Sequence, residues 1–172
     1  MKIVACDRSF SEPIRAIFND AIQNSTALYE YVPRMPERMA TWFDAKEQGK
    51  YPIVGAVTES GELMGFASYG AFRMFPAYKY TVEHSVYVAA PFRRRGVGRR
   101  LLQEIIAAAQ RQGYHALIGA IDSNNATSIA LHRSLGFQPA GTLRQVGFKF
   151  GQWLDLDFYQ LLLPTPSQPV DG

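Results

Sequence analysis

The sequence holds a single cysteine in 172 residues, Cys6 within the apolar stretch KIVAC. No internal disulfide can form, and that usage fits a reducing compartment such as the cytoplasm. Cys6 itself reads as buried filler, with a reactive thiol as the alternative. Long hydrophobic runs are also missing: none approaches the roughly 18 residues of a spanning helix. No basic segment followed by an apolar one opens the chain. The expectation is a soluble, non-secreted protein with no membrane partner. Internal repeats and dividing linkers are absent too, which argues for one domain. At 47% hydrophobic content that domain can bury its core without disulfides or a metal, and no metal is expected.

Charge of one sign is scarce as well. There are 18 Lys and Arg against 15 Asp and Glu, a net charge of +3. Five of those basic residues are arginines packed between Arg93 and Arg100, and without them the balance turns slightly acidic. A nucleic-acid binder more often spreads its cations along a face or groove. The expectation is therefore no nucleic-acid partner, and the arginine cluster needs another explanation.

What is present is an ordered alternation of patterns. Residues 1–7 (MKIVACD) read as a strand. A helix follows in SFSEPIRAIFNDAIQN, with Ser11 as its cap and Ile14, Ile17, Phe18 and Ile22 on its apolar face. STALYEYVPRMP has no period and reads as an ordered loop, and PERMATWFDAKEQG as a second helix stopped by Gly49. Two strands joined at Ser60-Gly61 form a hairpin. KYTVEHSVYVAA is a long strand ended by Pro91. Residues 98–112 carry an amphipathic helix with Val97, Leu101, Leu102, Ile105, Ile106 and Ala109 on one side. HALIGAI is a buried strand, NNATSIALHRSLGF a short helix closed by Gly136, and two last strands turn near Phe150-Gly151-Gln152. The fold class is α/β (α+β): one domain over residues 1–163 with a mixed sheet, then a flexible Pro-rich tail at 164–172.

The unit at the centre, strand–glycine turn–helix, is where chemistry is expected. The first turn of a helix has orphan N–H donors and partial positive charge, so it binds anions, and glycines let backbone approach them closely. Gly96-Val97-Gly98 is neither the three-glycine dinucleotide fingerprint nor the nucleoside-triphosphate loop. Two readings stand: a tight structural turn, or a cradle for a phosphorylated cofactor. The preceding strand, the arginines and the following helix favour the cradle.

Arg93-Arg94-Arg95-Gly96-Val97-Gly98 resembles the Arg/Gln-x-x-Gly-x-Gly/Ala signature of the GNAT superfamily of N-acetyltransferases. NNATSIALHRSLGF resembles that superfamily's Asn-bearing helix ending in Leu-Gly-Phe. TVEHSVYV, LHRSLGF and GTLRQVGFKFGQWLDLDF narrow the resemblance to the phosphinothricin and methionine sulfoximine acetyltransferase branch, over about residues 2–163. The resemblance implies a six- to seven-stranded mixed sheet splayed at its centre, about four flanking helices and commonly a homodimer. It also implies acetyl-CoA as co-substrate, with propionyl-CoA as a further donor, and a small amino acid as acceptor.

Residue by residue, the resemblance implies Val86, Tyr87 and Val88 as the strand edge for the pantetheine arm. It implies Arg94, Arg95, Gly96, Val97, Gly98 and Arg99 as the pyrophosphate loop, and Asn125, with Ser128, near the thioester. Backbone N–H groups are expected to make the main phosphate contacts, with the arginines adding field. Acetyl transfer to an amine needs a deprotonated amine, a stabilised oxyanion and a proton for the thiolate. Glu83 is implied as the base, the Val88 N–H as the oxyanion donor, and His132 as the candidate acid for the thiolate or as a residue packed against the cofactor. On the acceptor side stand Arg73 for a carboxylate, Phe72, Met74 and Phe75 as apolar walls, and His84, Ser85 and Tyr29 along the amine site. Tyr31 and Arg34 share the loop of Tyr29, which either closes the site or is an aromatic staple. His115 reads as a surface residue, and Trp153 and Phe158 as core or dimer interface. A peptide or protein N-acetyltransferase and a non-catalytic acyl-CoA-binding module remain as alternatives.

Overall fold

A computed structural model describes residues 1–171. Its elements run Lys2–Ala5 (β1), Ser11–Asn24 (α1), Pro36–Gln48 (α2), Ile53–Val57 (β2), Leu63–Ala71 (β3), Thr81–Val88 (β4), Val97–Arg111 (α3), Ala116–Asp122 (β5), Ala126–Ser134 (α4), Gln138–Lys149 (β6) and Gln152–Leu162 (β7). The strands form one seven-stranded sheet in the order β1-β2-β3-β4-β5-β7-β6. All neighbours are antiparallel except β4 and β5, the central parallel pair. The expected mixed sheet with four helices is therefore the observed one, and the element order matches.

The start of α1 differs from expectation. Ser11 is the helix's first residue and not its cap. Asp7 accepts a hydrogen bond from the Ser9 N–H at 2.9 Å and opens a 3-10 turn over Arg8–Phe10 that runs straight into α1. An aspartate two residues ahead of an orphan donor satisfies it directly, which moves the start signal four residues upstream. Likewise α3 begins at Val97, because Gly96 takes the left-handed conformation (φ 79°) and Val97 is buried behind it. Phe150 (φ 53°) and Gly151 (φ 74°) turn the β6–β7 hairpin where the sequence placed it.

Two apolar layers sandwich the sheet. On one face α1 and α2 bury Ile14, Phe18, Met39 and Phe43 against Phe66, with Trp42 and Tyr87 at the margin. Phe18 sits at the centre of edge-on contacts to Trp42, Phe66 and Tyr87 at centroid distances of 4.9–5.5 Å. On the other face α3 buries Leu101, Leu102 and Ile105 against Met64, Val82, Leu117 and Tyr159. Each such side chain contributes about 1.5–3 kcal/mol of burial, enough to fix the sheet between its helices. Cys6 belongs to the first layer, and burial, with Asp7 nearby, pushes its thiol up to about 12. Phe158 is half-buried while Trp153 is 61% exposed, so Trp153 is not a core residue. After β7, the Thr165 carbonyl lies 2.9 Å from His115 Nδ1 and the Val170 N–H donates to the Tyr80 hydroxyl. Gly172 of the expected tail lies outside the described residues.

The feature that positions a site is a fork. β4 pairs with β5 only from Thr81 opposite Ala116 to His84 opposite Gly119. Ser85–Val88 then continues along β3 while Ala120–Asp122 continues along β7, and the two strands part. This is the splay that the resemblance implied.

Candidate active site

A cleft of about 800 Å³ occupies the fork. Its walls are Val86, Tyr87 and Val88 of β4, Arg93, Arg94 and residues 96–99 of the turn, Asn125, Ser128 and His132 at α4, and the C-terminal end of α1. The strand register dictates what backbone faces it. Ala89 N–H donates to the Met64 carbonyl, and in an antiparallel ladder such bonds alternate. Tyr87 therefore spends its polar groups on β3, while those of Val86 and the Val88 N–H point into the fork, the Val88 carbonyl being taken by Arg93. There β5 no longer takes them up. An extended amide-bearing ligand can pair with that free edge as an added strand.

Below the edge lies the turn. Arg94 (φ 60°) and Gly96 (φ 79°) both adopt left-handed backbone, and alternation of this kind turns successive N–H groups toward one concavity that suits an anion. The first hydrogen bond of α3 is Arg100 N–H to the Gly96 carbonyl at 3.1 Å. The N–H groups ahead of it have no partner in the helix and add to that concavity. A Cβ on Gly98 would stand at ordinary contact distances, 3.4 Å from Leu131 and 3.5 Å from Val88. The residues present fit a pyrophosphate with an extended arm.

The five arginines divide their labour. Arg93 donates through Nε to the Val88 carbonyl (3.0 Å) and through Nη2 to Asp20 (2.8 Å), tying the end of β4 to α1. Arg99 bonds the Ser134 hydroxyl, and Arg100 pairs with Glu104. Arg94 lines the cleft, whereas Arg95 lies over the Phe92 ring and does not. Asn125 caps α4, its Oδ1 accepting from the Ser128 N–H at 3.1 Å. What it can still offer a ligand is its amide N–H. Arg93 was visible in the sequence but its bracing role was not.

The opposite face of β4 carries a second constellation. Arg73 Nη1 approaches Glu83 Oε2 to 3.9 Å and donates to the Phe72 carbonyl, with its guanidinium 4.1 Å from the Phe72 ring. Burial raises the Glu83 carboxyl above its usual value, and Arg73 partly offsets this. A carboxylate so placed is a better proton acceptor than an exposed one. Met74 and Phe75 are 91% and 75% exposed and wall nothing within one chain. Neither Glu83 nor Arg73 lines the 800 Å³ cleft; the strand itself separates the two sets. The sequence placed Arg34 in the loop that either closes the site or staples it, and gave Glu30 no role. Arg34 is buried, bonds Glu30 and stacks 3.7 Å over Phe18, and its Nη1 finds no partner among the described residues. Its only sequence signal is an arginine in an aromatic loop.

The remaining expected residues fall at the fork's apex. His84 and Ser85 of β4, Gly119 and Asp122 of β5, and Ser128 and His132 of α4 surround a cavity of about 70 Å³. His84 Nε2 and His132 Nε2 are 2.9 Å apart. Burial, then the neighbouring His132, pushes His84 down to about 3, and burial also lowers His132. The Tyr29 hydroxyl donates to Asp122 and the Asp155 carbonyl, both at 3.3 Å, and so staples its loop to β5.

With this geometry in view, the Acetyltransferase (GNAT) family matches residues 17–137. The chain is 50% identical over 157 residues to the L-methionine sulfoximine/L-methionine sulfone acetyltransferase of Pseudomonas paraeruginosa, covering 91% of each chain. A solved chain from Acinetobacter baylyi ADP1 superimposes with a TM-score of 0.98 at 52% identity, covering 99% of this chain and 96% of that one. A GNAT superfamily phosphinothricin acetyltransferase of Sinorhizobium meliloti, solved in complex with acetyl-CoA, has a TM-score of 0.94 at 34% identity, with 99% and 94% covered.

Proposed function

The chain belongs to the acetyltransferase (GNAT) family, and from that premise we propose that it acetylates the α-amine of a small L-amino acid. Methionine sulfoximine, methionine sulfone and phosphinothricin-like compounds are the acceptors this reading names, with acetyl-CoA as donor. The observation that carries it is the fork: a free strand edge and a left-handed anion cradle meet in one cleft, with a carboxylate–guanidinium pair on the strand's other face.

Bound acetyl-CoA supplies an acyl thioester. The chain's part begins with the N–H groups from Gly96 to Arg99, which hold the pyrophosphate while the edge of Val86 and Val88 aligns the arm. The Val88 N–H donates to the oxygen that gains charge at the reacting carbonyl. An amino acid presents an ammonium and a carboxylate on adjacent carbons, and Glu83 and Arg73, 3.9 Å apart, match them. Arg73 takes the carboxylate; Glu83 takes the ammonium's proton and frees the amine to attack, and as the carbon–sulfur bond breaks the thiolate leaves with the second proton shed by the new amide nitrogen.

The reading extends to assembly. Leu143, Val146, Phe148, Phe150 and Trp153 are 47–61% exposed along the β6–β7 hairpin, and β6 is the free edge of the sheet. A second copy of the chain, paired about a two-fold axis, covers such an edge, and this supports a homodimer. Among the described residues no helix is long and apolar enough to cross a membrane, and work in the cytoplasm suits an acyl-CoA-dependent reaction.

Thiol release from acetyl-CoA or propionyl-CoA, measured across free amino acids, the named analogues and a short peptide, tests this reading. Turnover of the analogues is expected to exceed that of the peptide. Faster peptide turnover would transfer the assignment to a peptide acetyltransferase, and cofactor binding without any turnover to an acyl-CoA-binding module.

A further inference from the structure

The direction of the contact between His84 and His132 follows from its surroundings. His132 Nδ1 lies 2.7 Å from the Ser128 carbonyl oxygen and 3.4 Å from its hydroxyl. A carbonyl only accepts, so Nδ1 carries a proton and donates it. A neutral His132 then has a bare Nε2, and the proton in the 2.9 Å contact belongs to His84 Nε2. His84 Nδ1 is bare in turn and buried, with no well-formed hydrogen bond among the described residues; the Ile118 backbone lies near the ring and only weakly opposes the effect of burial. The bonds run one way, from His84 to His132 and from His132 to the backbone of its own helix.

Sterics confirm that this meeting is built in. The rings lie over Gly119 of β5, where a Cβ would stand 3.0 Å from His84 Cε1 and 3.2 Å from His132 Nε2. Phe137 packs against both imidazoles at centroid distances of 5.3 and 5.0 Å. His84 occupies the last register position at which β4 and β5 still pair. One turn back on α4 from His132 is Ser128, and one further is Asn125 at the cap, both of which line the cleft.

We propose that His84 is a positioning residue: it fixes the tautomer and place of His132, clamps α4 across the apex of the fork, and leaves His132 no free proton to give during acyl transfer. The proposal rests on the acetyl-CoA reading above. It turns His132 from a candidate acid into half of a clamp that presents Asn125 and Ser128 to the cofactor. The titratable groups that share the small cavity with the pair are Asp122 of β5 and Tyr87 of β4, and Tyr29 reaches it only through Asp122. No lysine, arginine or glutamate lines it.

Long-range proton–nitrogen NMR of the full chain, labelled with nitrogen-15, reads the tautomers directly. His132 is expected as Nδ1–H and His84 as Nε2–H, both neutral at about pH 7. A proton on His132 Nε2, or either ring becoming cationic above about pH 6, overturns the proposal. Kinetics supply the second arm. Losing one buried donor in His84→Leu raises KM for acetyl-CoA about tenfold, keeps kcat within about twofold and leaves the pH–rate profile unaltered. His84→Gln, whose amide N–H reaches a similar place, recovers most of the loss. A collapse of kcat at constant KM, or a lost limb in the pH–rate profile, also overturns it. If the wild-type chain turns over no acyl-CoA at all, the function fails while the NMR measurement still decides the clamp.

Discussion

The two faces of β4 are used in opposite ways. Toward the cleft, what binds is backbone: the edge of Val86 with the Val88 N–H, the left-handed turn at Arg94 and Gly96, and the first N–H groups of α3. Toward α1 and α2, the chemistry is borne by side chains from separate segments, with Glu83 and Arg73 nearest each other and the Arg34–Glu30 pair beside them. A backbone device is indifferent to most side chains and sensitive to conformation. A side-chain device is the reverse. Substitutions that spare backbone on one face and side-chain chemistry on the other test whether that division is real.

The largest effect is expected from Glu83→Gln, which keeps shape and removes the proton acceptor. Loss of a positioned base lowers kcat about a hundredfold or more, with KM for acetyl-CoA near its wild-type value. A raised KM for the cofactor at full kcat would place Glu83 on the wrong side of the comparison. Next comes Gly96→Ala. A Cβ there meets nothing within 4 Å, so the cost is conformational; left-handed backbone costs an ordinary residue about 1–2 kcal/mol. KM for acetyl-CoA should rise about tenfold at unchanged kcat. Gly98→Ala is the control, since its Cβ meets Leu131 and Val88 at ordinary contact distances, 3.4 and 3.5 Å, and its φ is not left-handed. Titration calorimetry with coenzyme A that found both variants equal would sink the cradle argument.

Arg93→Gln should act more mildly, raising that KM by roughly threefold. It breaks a half-exposed pair with Asp20 and a bond to the Val88 carbonyl, loosening the edge. Arg95→Gln, which loses only a stack on Phe92, should change nothing measurable in the same assay.

That contrast also explains what could be read from the sequence. The cleft side was legible because its device is local: a β-branched strand, a glycine turn and an apolar-periodic helix are contiguous from Thr81 to Arg111, and each announces itself by spacing. The arginines that crowd the same stretch were less informative, because Arg93, Arg99 and Arg100 are spent on Asp20, Ser134 and Glu104. Glu83 and Arg73 were legible only through resemblance. The exposed and half-buried positions they hold look like any polar alternation. Nothing in the spacing of His84 and His132 foretells their contact, since it depends on where β4 and β5 part and on Gly119 being bare. The burial of Arg34 was hidden for the same reason, since it stacks on Phe18 of α1 while pairing with Glu30 of its own loop.

The smallest effect is graded, and it sets the two faces against each other through pH. His84 is held at about 3 against an ordinary 6.5, so between those values the unfolded chain binds more protons than the folded one. Stability from that site is complete above pH 6.5 and is lost as pH falls. Glu83 works with the opposite sign. Its raised carboxyl pKa means the folded chain holds more protons around and above the ordinary 4.5, so its contribution declines as pH rises through that window. Urea midpoints measured from pH 7 down to 4 should therefore fall in the wild-type protein. They should fall less in His84→Leu, which abolishes the first term, and more in Glu83→Gln, which abolishes the second. If the two variants changed the slope in the same direction, burial of the histidine and of the carboxylate on opposite faces of one strand would not be the cause.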